Sequence, residues 1–315
     1  MQQYFLKRVL TVGQEVELSQ EIAHHLGHVL RKKEGAEIRL VDAQGQVFRA
    51  TLFWQEKRLF ALVCESLAEN RETPAPITLF LALIKREKWE YALQKCTELG
   101  AERLVGVTTA RSVVSLEAMK KRRARYEKIL EEAAEQSERH KVPVLDFAAD
   151  FTQLTNPRCT VNFICTERAA GVPHLIEALQ EELPLEKQMR SVSVFVGPEG
   201  GFTVEEIAQA KAMGFRSVTL GPRILRAETA ASTAVALIAA HMERQEGEDM
   251  NKQDKKVDAI ISESEQKNQV AKKGMVSGTD VYGDVEKREE ETGVEIPTED
   301  AVLEAKEWSD LENRS

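Results

Sequence analysis

Across residues 193–238, short apolar runs alternate with amphipathic stretches in the order strand, turn, helix, strand, turn, helix. Val192, Val194 and Val196 alternate with Ser191, Ser193 and Phe195, the period of a mostly buried strand. That strand runs into Gly197-Pro198-Glu199-Gly200-Gly201. Thr203 and Glu206 have the spacing of a capping box, Ile207, Ala210 and Met213 supply one apolar helix face, and Gly214 closes the helix. Val218 and Leu220 predict a short strand that feeds a second irregular turn over 221–229. Thr229 is expected to cap a last helix, whose Ala230, Ala231, Ala234 and Ala236 permit close packing.

The same alternation extends upstream. Residues 77–84 read as a continuous apolar strand, as in a sheet covered on both faces. A helix over 88–99 closes at Gly100, a strand follows at 104–107, and one long helix is expected over 116–137. A strand at 161–165 precedes a helix over 174–183 that Pro184 stops. This is the signature of an α/β fold. Residues 1–70 differ: one helix over 19–31, with Ile22, Leu26, Val29 and Leu30 apolar, then strands at 37–42, 47–54 and 59–67. The segment AENRETPAP at 68–76 is polar and ends in two prolines, which suit neither helix nor central strand. The reading is a β-rich domain over 1–70, a linker over 71–76, an α/β domain over 77–243 and a tail over 244–315.

Charge separates the tail from the rest. Lys+Arg number 43 and Asp+Glu 52 in the 315 residues, a net of −9. Residues 244–315 hold 11 basic and 20 acidic side chains, so the remainder is balanced and local patches decide any affinity for nucleic acid. The tail has few aromatics and no sustained apolar period, so it is expected to be disordered apart from a short helix near 301–308. Met250 suggests that it began as a separate reading frame, since fused. Cys64, Cys96, Cys159 and Cys165 lack C-x-x-C spacing and sit by apolar runs, which predicts buried free thiols in a reducing compartment. The first residues are not a signal peptide and no stretch is a membrane span, so the expected location is cytoplasmic.

Two glycine-bearing turns at the carboxyl ends of neighbouring strands are where open α/β sheets bind ligands. Neither has the G-x-G-x-x-G spacing, and no phosphate loop of the G-x-x-x-x-G-K-[ST] type occurs. His24 and His28 lie i, i+4, but no third ligand is expected to join them, so no metal is predicted. Arg8, Arg31, Lys32 and Lys33 form one cationic group and Lys120, Lys121, Arg122, Arg123 and Arg125 another. Phosphate contacts and a solvated surface both account for them.

The segments GPEGGF at 197–202 and LGPRILRAETA at 220–230 resemble the RsmE branch of the SPOUT methyltransferases, which methylate N3 of a uridine in 16S ribosomal RNA; the resemblance runs from Tyr4 to about His241. It implies a SPOUT-type α/β knot (a trefoil knot in a mostly parallel sheet) preceded by a small PUA-like β-barrel. It also implies S-adenosylmethionine as cofactor, a homodimer, and the 16S rRNA of the small ribosomal subunit as partner. By that resemblance Thr166, Gly197, Gly200, Gly201, Leu220, Gly221, Ile224, Leu225 and Ala227 hold the cofactor. Arg8, His25, Arg31, Lys32, Lys85, Arg122 and Arg123 face RNA. Candidates for handling the uracil are Arg226, Glu228, Glu199 and Arg111: a guanidinium stabilises negative charge on the base and a carboxylate takes its proton. Both glutamates precede helix N-termini, where an acid is favoured in any case. A SPOUT enzyme with another rRNA or tRNA target, and a catalytically silent RNA-binding or ribosome-assembly module, stay open at this point.

Overall fold

The computed structural model describes residues 1–150, 159–167, 171–184 and 190–244, and the backbone of Val285–Arg288 and Glu295–Pro297. The β-rich part contains β1 (Gln3–Phe5), β2 (Glu15–Glu17), β3 (Glu37–Val41), β4 (Val47–Gln55) and β5 (Arg58–Leu67) in the spatial order β1-β3-β4-β5-β2. Only β1 and β3 pair parallel; the other ladders are antiparallel. A bulge between Arg49 and Ala50 resets the β4–β5 register, so that Ala50 and Leu52 face the core with Ala61 and Val63. The expected helix over 19–31 is shorter and changes character. Ser19 caps α1 (Gln20–His24), which continues as one π-turn over His25–Val29 before Arg31 turns left-handed at φ 50°. Leu26 is buried while Val29 and Leu30 stay exposed, so the apolar period read along the helix is only half used.

The α/β part is a wholly parallel six-stranded sheet. Its strands are β6 (Ile77–Ala82), β7 (Arg103–Val107), β8 (Val144–Ala148), β9 (Val161–Cys165), β10 (Val192–Val196) and β11 (Arg216–Val218), in the order β11-β9-β10-β6-β7-β8. Every residue of β6 and β10 is buried. Period-two alternation divides the side chains between the two faces. Ile77, Leu79, Leu81, Val192, Val194 and Val196 join one core, Phe80 and Phe195 the other. The first core is filled by α2 (Arg86–Glu98), α4 (Arg123–Gln136), α5 (Leu175–Glu182) and α7 over 227–244, the second by α6 (Val204–Ala212). Each fully buried Leu or Phe contributes about 1.5–3 kcal/mol, which fixes the two faces, and the common direction of the parallel strands brings the turns that follow them to one edge. Because β10 lies between β9 and β6, the direction of strand succession reverses there, which places a crevice at the carboxyl edge.

Several boundaries differ from the sequence reading. The helix expected over 116–137 is two helices, α3 (Leu116–Lys120) and α4, broken at Lys121 and Arg122. Like charges packed one turn apart weaken a helix there, and Arg122 offers no side-chain cap. The last helix begins at 227, ahead of Thr229, because Ala227 is drawn into the core. Strand β8 is an edge strand that the apolar pattern does not predict. Cys64 is exposed rather than buried, since it shares the outward period of β5 with Leu62. The segment over 68–76 is pinned: Glu72 pairs with Arg139 at 2.6 Å and accepts from the His140 amide at 2.7 Å. Of the tail, Val285–Arg288 and Glu295–Pro297 pair antiparallel; the helix expected near 301–308 and the rest of the expected disorder lie outside the described residues.

Candidate functional site

Strand β10 delivers Gly197 to the carboxyl edge, and the chain turns back within four residues, closed by the Gly201 amide donating to the Pro198 carbonyl at 2.9 Å. The turn is held from beside it. Arg111, on the loop after β7, donates to the Gly200 carbonyl at 2.6 Å and to the Phe202 carbonyl at 3.4 Å. Its methylenes lie so close that a Cβ at Gly200 would stand 3.1 Å from Arg111 Cδ. The capping box of α6 is present: the Glu206 amide donates to Thr203 Oγ1 and the Thr203 amide to Glu206 Oε2 at 2.8 Å. Glu206 Oε1 also accepts from the Ala110 amide at 2.7 Å. One carboxylate thus locks the helix start to the neighbouring loop.

The second turn follows β11. Thr219 closes it locally: its hydroxyl accepts from the Gly221 amide at 3.3 Å. Gly221 then takes φ 112°, a backbone conformation that side chains disfavour strongly. Residues 222–226 have no regular structure before α7 begins. A third segment, the end of β9, brings Thr166, whose amide donates to the Val218 carbonyl at 2.9 Å.

These three segments enclose a cavity of about 570 Å³. All nine cofactor candidates line it: Thr166, Gly197, Gly200 and Gly201 on one side, Leu220, Gly221, Ile224, Leu225 and Ala227 on the other. Phe202, Thr219 and Arg223 line it too and were not singled out from sequence, although Arg223 and Phe202 sit inside the two segments that carry the resemblance. The walls are apolar side chains and bare backbone, with Arg111, Glu167 and Arg223 as the charged groups among them. Desolvation pushes the Cys165 thiol up to about 12, so it lines the cavity as an apolar group and not as a thiolate. A cavity of this size, apolar with exposed backbone dipoles, suits a nucleoside-sized ligand and fits S-adenosylmethionine.

The four candidates for base chemistry are not equivalent. Arg111 lines the cavity but spends its guanidinium on the Gly200 turn. Glu199 points away and pairs with Lys88 at 2.9 Å. Burial pushes its carboxyl up, but the Lys88 hydrogen bond and charge, with help from backbone and Lys85, hold it below the usual carboxylate range. Glu228 lies in the first turn of α7, about nine-tenths buried, with Oε2 unpaired. Arg226 is exposed immediately before α7, between the wall residues Leu225 and Ala227, and its side chain makes no ion pair among the described residues.

The residues read as facing RNA are scattered. Arg8 donates to the Glu17 carbonyl, and His25 Nδ1 lies 2.9 Å from the Tyr4 hydroxyl. Arg31, Lys32 and Lys85 are exposed. In the second basic group the structure engages Arg123 with Glu127 and the Leu145 carbonyl, and Arg125 with Glu90. Lys120, Lys121 and Arg122 keep no ion pair among the described residues. The His24 and His28 rings lie 5.0 Å apart, tilted by 30°, and no group of His, Cys, Asp or Glu among the described residues could hold a metal. No described helix is long and apolar enough to cross a membrane.

Residues 71–239 match an RNA methyltransferase domain family and residues 18–61 an RNA methyltransferase PUA domain family. A short family described as a spore surface protein matches residues 279–314. The chain is similar to the ribosomal RNA small subunit methyltransferase E of Bacillus subtilis, at 33% identity over 79% of this chain and 100% of the relative. With the protein of the same name from Synechocystis it shares 36% identity over 70% of this chain and 71% of the relative. Among solved structures, the ribosomal RNA small subunit methyltransferase E of Neisseria gonorrhoeae, bound to S-adenosyl methionine, aligns with a TM-score of 0.65 at 33% identity, covering 75% of this chain and 95% of that one. A Legionella pneumophila protein in complex with SAM aligns with a TM-score of 0.66 at 31% identity, covering 76% and 96%.

Proposed function

Because the chain belongs to the ribosomal RNA small subunit methyltransferase E family, we propose that it methylates N3 of one uridine in the 16S RNA of the small ribosomal subunit, with S-adenosylmethionine as donor. Its fold is the SPOUT-type α/β fold behind a PUA-like domain. The observation that carries the reading is the single cavity wall made by the turns at 197–201 and 220–225 together. S-adenosylmethionine, when bound, supplies an electrophilic methyl group on a cationic sulfur. The two turns hold it through backbone N–H and C=O groups, and Leu220, Ile224, Leu225 and Ala227 give the apolar surface that a nucleoside needs.

The chain's own chemical task is the proton on N3 and the negative charge left on the base. Arg226 stands between the wall residues Leu225 and Ala227 with a guanidinium that makes no ion pair among the described residues, and it stabilises that charge. Glu228, two residues on, is a buried carboxyl group with an unpaired oxygen and takes the proton, since Lys88 already holds Glu199. Arg226→Ala should lose turnover by about 100-fold or more while keeping cofactor affinity. Full turnover in that variant refutes the role. The target is tested by mapping the methylated uridine of 16S RNA in a strain lacking the gene: the modification should vanish, and its persistence rejects the substrate.

The enzyme acts in the cytoplasm as a homodimer, in which RNA spans one subunit's PUA-like domain and the other's cavity. Ile224, 56% exposed at the rim, gives a second copy something to cover. Light scattering that shows a monomer at working concentration rejects this arrangement. The tail is an appendage to the chemistry. Removing residues 249–315 should leave methylation intact, and a loss of activity contradicts that.

A further inference from the structure

The β-rich part carries an exposed aromatic that neither core explains. Trp54, at the end of β4, is 43% exposed, and its indole N–H bonds no protein atom among the described residues. It lies on the core-facing period of the strand, after Ala50 and Leu52, but beyond the point where the core ends. One edge rests on Gly27: a Cβ there would stand 3.6 Å from Cη2 and Cζ2 of the indole. Gly27 sits inside the π-turn, whose wide backbone bond runs from the Leu30 amide to the His25 carbonyl at 2.9 Å. A residue without a side chain at this place leaves the ring supported below and open above.

The flanks of the ring are cationic. Arg31, Lys32 and Lys33 leave the π-turn directly, and the Gly35 amide donates to the Leu52 carbonyl at 2.8 Å, which brings that run beside the end of β4. Lys57 projects from the hairpin tip three residues after Trp54. None of these four cations makes an ion pair among the described residues; Glu34 and Glu56 stand against them, leaving a net positive edge. The outward face of the same hairpin has the opposite character. There Phe53 and Phe60 stack on each other at 5.5 Å, and Glu15 and Glu17 flank Leu62 and Phe60 in register.

We infer that Trp54, backed by Gly27 and flanked by the Arg31–Lys33 run, is a stacking platform for an unpaired base of the RNA substrate, separate from the cofactor cavity. An open indole face pairs with any base, and cations beside it meet the phosphates on either side. The inference rests on the reading of the chain as an RNA methyltransferase and names a substrate contact of that enzyme.

The test is titration of the full chain with a short single-stranded oligouridylate, followed by tryptophan emission and by affinity. Emission should fall on binding in the wild type, and that change should vanish in Trp54→Phe. Affinity should fall about tenfold in Trp54→Ala and little in Trp54→Phe, which keeps a ring. Substituting Lys32 and Lys33 together by alanine should lower the slope of log affinity against log salt by about 0.7 per charge removed. Unchanged S-adenosylmethionine affinity in every variant shows that the fold is intact. A chain that methylates small-subunit RNA but shows neither the emission change nor any dependence on Trp54 overturns the platform and leaves the enzyme reading standing. A chain that methylates no small-subunit RNA sinks that reading itself.

Discussion

Charge is densely paired where the β-rich and α/β parts meet, whereas the walls of the cavity are mostly apolar side chains and bare backbone, with Arg111, Glu167 and Arg223 as their charged groups. At the meeting of the cores, Arg39 pairs with Glu69 at 3.0 Å, Arg71 with Glu138 at 2.9 Å and Arg139 with Glu72 at 2.6 Å. Arg139 also donates to the carbonyls of Thr97 and Ala101 at 2.9 and 2.7 Å, and its own carbonyl accepts from Gln3 at 2.6 Å. Each nitrogen of the Arg139 guanidinium has an acceptor. In the cavity, by contrast, the turns line the space with backbone, part of it held within the protein, as at the Gly200 carbonyl and the Gly221 amide. Buried charge requires a rigid partner, so it suits a joint that must not move. Bare backbone tolerates being left open to solvent, so it suits a site that fills and empties.

The largest effect that would break this contrast is at the joint. Arg139→Ala leaves Glu72 buried without its partner and should cost about 3–5 kcal/mol of stability in denaturant unfolding. A loss under about 1 kcal/mol would mean the joint is not held by charge. Next comes the cavity: Gly221→Val forces a β-branched residue to φ 112°, at a local cost of about 1–3 kcal/mol. There the loss should be in S-adenosylmethionine affinity, by about tenfold or more, with global stability less affected. Equal affinity in that variant would show that the second turn does not hold the ligand.

A titratable group at the joint sharpens the comparison. Burial, with nearby Glu131, Glu132 and Glu21 adding to it, pushes the Glu135 carboxyl up to about 7, although the Phe5 amide donates to it. An acid whose folded pKa is raised stabilises the native state below its unfolded pKa, and that contribution is lost as pH rises through 7. Glu135→Gln should therefore gain about 1–2 kcal/mol over wild type at pH 8 and nothing near pH 4. A gain that does not vary with pH would contradict the assignment. The smallest effect belongs to Glu199→Gln at the half-exposed Lys88 pair, which should cost under about 1 kcal/mol and leave turnover nearly unchanged. A turnover loss as large as that of Arg226→Ala would make Glu199 part of the chemistry.

What could be read in the sequence was local in origin. The capping box of Thr203 and Glu206, the buried strand β10 and the two turns each depend on residues within a few positions. What could not be read depends on partners far along the chain. Glu72 and Arg139 are an ordinary acid and base until the fold brings them together, and nothing near Glu206 announces its second bond to Ala110. Strand β8 has no clear sequence signature because it is a sheet edge with an exposed Val144 and a charged Asp146, which blur the alternation. The break between α3 and α4 is invisible to apolar periodicity, since Met119, Tyr126 and Leu130 still recur on one side. The start of α7 is set by burial of Ala227 and not by the capping preference of Thr229.

The central claim is that two turns from separate strands form one cofactor site. Calorimetric titration of the full chain with S-adenosylmethionine tests it most directly, with wild type beside Gly221→Val and Gly200→Val, one substitution in each turn. Saturable binding in the wild type that falls in both variants is the expected result. No binding by the wild type, or binding that either variant leaves untouched, would contradict it.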